Sequence, residues 1–457
     1  MRLNVGDKIK LDIRKQGING EGIGYYQKVA VFVPGAIMKE VVNVEVTDSF
    51  DNYAIAKIVD IERLSNRRVT PPCKFYDDCG GCQMQHIDYF EQLKIKQSII
   101  KQALRRYTNI DTDKLPINKT LGMDNPYNYR NKSQMPFRNT NFGLALGFYK
   151  PASNHFVFVD DCLIHHQEIN NINHQVLKLM RKYHQKAFDV RNKEGILHYL
   201  VVRYLEETKS ASVIFIIKKY DQIMETIAKE LMAEMPIVKS VSYSLDNQKS
   251  NLVISNPIKI IAGVDKIEEL LHNYTFKISP DAFHQMNTVQ MKKMYKLILD
   301  LANIEKSKTI FDLYCGIGIT SMMLAKDSKK VYGIDYSESS INDAILNAKI
   351  NNVKNVEFIQ DHVESALPKL LNNSIKPDII VLDPPRSGMS DVVLDAVLQV
   401  LPKQIIYVSC NPSTLAKNIS DLNQKYQVRN ITPIDMFPET ASVESVTLLE
   451  LKTGGNK

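Results

Sequence analysis

From residue 309 onward, strand-like and helix-like segments alternate regularly. This predicts an α/β protein whose C-terminal part is a doubly wound, mostly parallel sheet. Two more observations complete the fold class. Short apolar–polar alternations between glycine turns over the first 60 residues predict a small β-barrel. Between the two, strands and helices mix without regular order behind a cluster of cysteines, which predicts a central α+β domain. A chain of 457 residues is long enough for three such cores, and the boundaries expected are 1–60, 61–268 and 269–457.

In the first part, Gly6-Asp7, Gly20-Glu-Gly22-Ile-Gly24 and Pro34-Gly35 supply turns around the runs Val29–Val33, Val41–Val46 and Ala54–Val59. Pro71-Pro72 punctuates the chain ahead of the cysteines. A helix is expected over Glu91–Tyr107, carrying Lys94, Lys96, Lys101, Arg105 and Arg106; Arg130-Asn131-Lys132 and Arg138 follow. Central strands are expected over Phe142–Tyr149, Phe156–Val159, Leu197–Tyr204 and Ala211–Ile217, with helices over 166–184 and 220–234. In the C-terminal part, strands are expected at Thr309–Tyr314, Lys330–Asp335, Val356–Ile359, Asp378–Asp383 and Gln404–Ser409, with helices over 338–350, 390–400 and 412–423.

Composition excludes several classes. Apolar residues make up 44% of the chain, and no run approaches the ~20 apolar residues of a membrane helix. The start, Met1 to Lys8, lacks an apolar secretory leader, so a cytoplasmic protein with reduced cysteines is expected. The net charge of +7 favours a polyanionic partner.

Three of the six cysteines fall within Cys73-x5-Cys79-Gly-Gly-Cys82, and Cys162 stands alone in the central part. Clustered reduced thiols point to a metal site. Four thiolates suit an iron–sulfur cluster, and zinc is the competing occupant.

In doubly wound sheets ligands bind beyond the carboxyl ends of the strands. The first such strand runs into Asp312-Leu-Tyr314-Cys-Gly316-Ile-Gly318, a glycine turn, and Asp335 ends the second. This spacing suits a nucleoside cofactor: the glycines admit it close to the backbone, and the carboxylate accepts from a ribose diol. NAD and S-adenosylmethionine both remain open on this basis. The fourth and fifth strands end in Asp383-Pro-Pro-Arg386 and Ser409-Cys410-Asn411-Pro412. Pro412 opens a helix, which puts Cys410 at a helix N-terminus, where the dipole is expected to favour thiolate and make it a nucleophile.

Together with Phe283-His-Gln285-Met-Asn287, these motifs resemble the RNA uracil-5-methyltransferases, a family of tRNA enzymes and of 23S rRNA enzymes with an iron–sulfur cluster. The resemblance spans nearly the whole chain. It implies a TRAM RNA-binding barrel (OB-like), a central iron–sulfur domain and a Rossmann-like class I methyltransferase domain. It also implies a [4Fe–4S] cluster on Cys73, Cys79, Cys82 and Cys162, and S-adenosylmethionine on Gln285, Tyr314, Gly316, Asp335 and Asp383. Cys410 corresponds to the nucleophile and Glu444 to the general base, although Ser442 stands where the family usually has histidine. The implied activity is 5-methyluridine formation in RNA, in a 23S rRNA loop or stem-loop with a flipped uridine, by a monomer. Arg130, Lys132, Arg138 and the basic helix are the expected RNA contacts. The alternatives are a tRNA enzyme, a non-catalytic RNA-binding iron–sulfur protein, and an NAD-dependent oxidoreductase.

Overall fold

The computed structural model describes residues 3–246 and 253–452. The N-terminal sheet contains β1 (Lys8–Asp12), β2 (Lys15–Gln16), β3 (Gly22–Tyr26), β4 (Val29–Val33), β5 (Val41–Ser49) and β6 (Tyr53–Arg63), in the order β1-β5-β6-β4-β3-β2. It curls back on itself: Arg14, just past β1, donates its backbone N–H to Ile23 of β3 at 2.9 Å. In β5, Val42, Val44 and Val46 are buried and alternate with more exposed residues, which makes one face the inside of the barrel.

The cysteine segment follows, then α1 (Tyr89–Tyr107), capped by the Asp88 carboxylate accepting from Glu91 N–H. The central sheet is built from β7 (Lys132–Thr140), β8 (Gly143–Tyr149), β9 (Phe156–Phe158), β10 (Leu197–Leu205), β11 (Ser210–Ile217), β12 (Val238–Leu245) and β13 (Lys259–Gly263). Its order is β13-β12-β11-β10-β7-β8-β9, and α2 (Gln167–Lys182) and α3 (Ile223–Glu234) pack on it. A hairpin of β14 (Ile267–Leu271) and β15 (Tyr274–Ile278) leads to α4 (Thr288–Ala302).

The C-terminal part runs β16 (Thr309–Leu313), α5 (Ile319–Ala325), β17 (Lys330–Asp335), α6 (Glu338–Ile350), β18 (Val356–Gln360), α7 (Val363–Asn372), β19 (Ile379–Leu382), α8 (Asp391–Val400), β20 (Gln404–Ser409), α9 (Pro412–Leu422), β21 (Tyr426–Ile434) and β22 (Glu444–Leu451). The sheet order is β18-β17-β16-β19-β20-β22-β21, parallel except for the contacts of β22. β19 is buried at every residue because helices cover both faces. Strand order reverses between β16 and β19, and a crevice opens there at the carboxyl ends. No described helix is long and apolar enough to cross a membrane.

The basic helix is not the free cationic face expected from its sequence. Its apolar side packs with α9, Ile95, Ile99 and Ile100 sharing a core with Leu415 and Ile419. Lys96 is fully buried and ion-paired with Asp435, Lys94 pairs with Glu91, and Lys101 and Arg105 both pair with Asp113. Three carboxylates, Glu91, Asp435 and Asp113, thus sit against four of the five cations; Lys94 and Arg105 remain exposed, and Lys96 is the one withdrawn from any RNA contact. The reason is tertiary: Asp435 lies far along the sequence.

Candidate active site

The cleft between β16 and β19 is lined by Gln285, Asp312, Tyr314, Gly316 and Asp383, among others. Tyr314 has φ +65°, and Gly316 and Gly318 have φ +53° and +80°. Three left-handed residues in five turn the chain sharply enough to expose the backbone to a ligand, and only at the glycines is that conformation free of strain. Asp335 pins this turn. Its Oδ2 accepts from Gly316 N–H at 2.9 Å and its Oδ1 from Ser337 N–H at 2.9 Å. Each oxygen keeps a second lone pair for a diol.

Three polar groups facing the cleft have no hydrogen-bond partner among the described residues: the Gln285 carboxamide, the Tyr314 hydroxyl and the Asp383 carboxylate. Their lack of partners fits a polar, cationic ligand such as S-adenosylmethionine, whose adenosine and sulfonium would satisfy them. Burial alone pushes the Asp383 carboxyl up to about 7. The neighbouring Asp312 has no role in the sequence reading, yet it is buried in the same cleft and burial pushes it up to about 7 as well. The Ser321 hydroxyl donates to it at 2.6 Å. Ser321, which interrupts the dinucleotide glycine pattern, therefore has a polar task of its own.

The two proline turns are clipped together. Asn411 caps α9, accepting from Ser413 N–H at 3.0 Å, and its amide donates to Arg386 O at 2.9 Å. Antiparallel pairing of β20 with β22 sets Ser409 against Ser445. Cys410 follows this pair just past β20 and Glu444 precedes it in β22, and the Glu444 charge acts on the Cys410 thiol.

The surroundings of Cys410 work against the thiolate that its place at a helix end is expected to favour. Burial first, then the charges of Glu444 and Asp383, push Cys410 up to about 11, against a smaller opposing effect of Arg386. Burial, and then Asp383, push Glu444 up to about 8. Cys315, within the glycine turn, is buried.

Cys73, Cys79, Cys82 and Cys162 line one cavity of about 240 Å³ with Phe75, Phe148, Arg130 and His165. Backbone N–H of Gly81 donates to Cys79 Sγ at 3.4 Å. Among the described residues no three His, Cys, Asp or Glu side chains are close enough to grip a single metal ion. The four thiols line the same cavity, so the donor set present there is all sulfur, as both a cluster and a structural zinc use.

The expected RNA contacts scatter. Arg138 is exposed and bonds Tyr149 Oη at 2.5 Å. Arg130 lines the cysteine cavity, and its Nε donates to Lys132 O at 2.9 Å. Lys132 is enclosed in β7, where burial, then Arg203 and Arg130, lower it to about 7. Asn131 does not face RNA at all: it is buried, and its amide donates to Gln285 O at 3.0 Å and Thr288 Oγ1 at 3.1 Å, fixing the Phe283–Asn287 loop at the cleft.

A family model described as tRNA (Uracil-5-)-methyltransferase matches residues 88–452, and a TRAM domain model matches residues 2–59. A Listeria monocytogenes (serotype 4b, strain F2365) protein named an uncharacterized RNA methyltransferase is 40% identical over 450 residues, covering 98% of both chains. A protein of the same description from Halalkalibacterium halodurans is 38% identical over 449 residues, covering 98% of this chain and 97% of its own. The crystal structure of Pyrococcus abyssi tRNA (uracil-54, C5)-methyltransferase in complex with S-adenosyl-L-homocysteine superposes with a TM-score of 0.76 at 24% identity, covering 96% of this chain and 99% of that one. With an N-terminal TRAM domain and a Rossmann-like methyltransferase sheet in place, the chain belongs to the tRNA (uracil-5-)-methyltransferase family of S-adenosylmethionine-dependent RNA methyltransferases.

Proposed function

We propose that this protein forms 5-methyluridine in 23S rRNA, with Cys410 as nucleophile and Glu444 as general base. The observation that carries the chemistry is the β20–β22 ladder: Cys410 and Glu444 flank its Ser409–Ser445 pair, and the charge of Asp383, which lines the cleft, acts on both. The rRNA target rests on the cysteines: Cys73, Cys79, Cys82 and Cys162 line one cavity, and by resemblance these positions carry the cluster of the rRNA branch of the family.

Gln285, Tyr314, Gly316, Asp335 and Asp383 would hold S-adenosylmethionine, which when bound supplies an electrophilic methyl group on a sulfonium. Cys410 Sγ bonds to C6 of the flipped uracil, and the electron pair of the C5–C6 double bond moves toward O4. C5, now nucleophilic, would take the methyl group, the S–CH3 bonding pair staying with the sulfur that departs as a neutral thioether. The Glu444 carboxylate removes the C5 proton, the double bond re-forms, and Sγ leaves with its bonding pair. A cation beside Asp383 offsets the carboxylate charge that raises the Cys410 thiol, so filling the cleft favours thiolate.

Cys73, Cys79, Cys82 and Cys162 would hold a [4Fe–4S] cluster, a structural group that methyl transfer does not require. We assign the chain three units, 1–60, 61–268 and 269–457, and a monomeric, cytoplasmic life. Arg130, Lys132 and Arg138 contribute to the RNA surface. A tRNA target is the second reading, favoured by the likeness in fold to the Pyrococcus abyssi tRNA enzyme.

The test is incubation with S-adenosylmethionine and 23S rRNA or tRNA transcripts containing 5-fluorouridine, followed by a denaturing gel. Fluorine at C5 cannot leave as a proton, so the rRNA transcript should give a covalent band that Cys410→Ala abolishes. A band on tRNA alone moves the target, and no band on either removes the thiolate mechanism.

A further inference from the structure

The connection that delivers Glu444 to the cleft is held from outside its own sheet. β21 ends at Ile434 and β22 begins at Glu444. Between them, Glu439 has φ +68°, a conformation that a non-glycine residue keeps only when its surroundings impose it. Those surroundings are the cysteine segment and α1. Backbone N–H groups of Gln83 and Met84, directly after Cys82, both donate to Glu439 O, at 3.1 and 3.0 Å. The Gln92 carboxamide of α1 grips the same residue twice: its Nε2 donates to Glu439 Oε2 at 3.1 Å, and its Oε1 accepts from Glu439 N–H at 3.2 Å. Gln92 is 1% exposed, and the same amide also donates to Met84 O and Ile87 O, so one side chain joins the thiol segment to the connection.

We propose that Gln92 and the Gln83–Met84 amides are positioning groups that act through Glu439 to set Glu444 over the cleft, which ties order in the cysteine segment to the proton-abstraction step. The proposal rests on the reading of Glu444 as base. Its consequence is selective. Addition of Cys410 to C6 and methylation of C5 do not need Glu444; only loss of the C5 proton does. A loosened connection therefore leaves the Cys410 Sγ–C6 bond unbroken and the C5–H bond intact, and the methylated RNA stays attached to the protein.

Glu439→Gly tests this without backbone strain, since glycine adopts φ +68° freely; it keeps the backbone contacts of residue 439 and loses the buried carboxylate that Gln92 holds. With full-length protein, S-adenosylmethionine and unmodified uridine transcripts of 23S rRNA and tRNA, kcat should fall about ten-fold or more, as expected for a misplaced catalytic group, with KM for both substrates unchanged. A covalent protein–RNA band should accumulate on the denaturing gel, as it should for Glu444→Gln, and amide exchange over 437–443 should quicken. Glu439→Gln keeps the acceptor and should restore turnover. Wild-type turnover in Glu439→Gly, or a fall without the band, overturns the proposal. If Glu444→Gln itself traps nothing, the base assignment fails instead, and the proposal falls with it.

Discussion

Replacing Lys96 by methionine separates two readings of the same residue. On the helix sequence alone, Lys96 belongs to a row of cations facing RNA; in the fold its ammonium is fully buried, donating to Asp435 Oδ1 and, at 3.0 Å, to Phe437 O. Methionine refills most of the aliphatic stem, so the packing loss is small. The electrostatic loss is not. Asp435 is fully buried too, and without Lys96 its carboxylate retains the Tyr89 hydroxyl at 2.9 Å but no cation. Removing one partner of a buried pair costs about 3–5 kcal/mol. At roughly 2–4 °C per kcal/mol for a domain of this size, the melting temperature of Lys96→Met should drop by roughly 6–20 °C. Lys96→Met with Asp435→Asn should recover most of the loss, because neither buried charge remains. Thermal unfolding of the wild type, both single variants and the double variant gives the coupling. RNA affinity of the folded protein should keep its salt dependence. An unchanged melting temperature together with a salt slope shallower by about one counterion would refute the buried pair and return Lys96 to the RNA interface.

Two further outcomes follow from the cleft. Burial holds the Asp383 and Glu444 carboxyls up to about 7 and about 8, so both are largely protonated in mildly acidic buffer. Glu444 takes a proton only as carboxylate, and Cys410 adds only as thiolate, so kcat/KM should climb from about pH 6 to about pH 9. A profile flat across that range would contradict the burial of both groups. At the glycine turn, a methyl group on Gly318 would lie 2.6 Å from Phe358 Cζ and 3.0 Å from Ala344 Cβ, at φ +80°. The backbone strain alone is about 1–2 kcal/mol, so Gly318→Ala should weaken S-adenosylmethionine binding on the order of ten-fold by calorimetry. Unaltered affinity would mean that the turn tolerates a side chain and does not approach the ligand.

The central parallel strands were legible because strands buried on both faces are written as apolar runs between turns, as at Ile379–Leu382 and within Gln404–Ser409. Helix 338–350 begins and ends where its sequence places it, with Ser337 as cap. β7 was not legible. Lys132–Thr140 is mostly polar, and it becomes a strand because β10 and β8 flank it, not from any pattern of its own. β21 and β22 went unread as well, overshadowed by the motif around Glu444, although Ser445–Leu449 is apolar enough to mark a strand.

Residue types and spacing by themselves determined the chemistry available: a thiol after one strand, a carboxylate after another, a glycine turn for a nucleoside and four clustered thiols. These are local facts, carried by neighbours in the chain. Only the tertiary structure decided how those groups behave. Cys410 and Glu444 flank the Ser409–Ser445 pair of a ladder, burial and the charges of Glu444 and Asp383 raise the thiol, and Lys96 is buried because Asp435 waits across the fold. Burial and long-range charge depend on which surfaces the chain brings together, and no window of sequence contains both sides of such a contact.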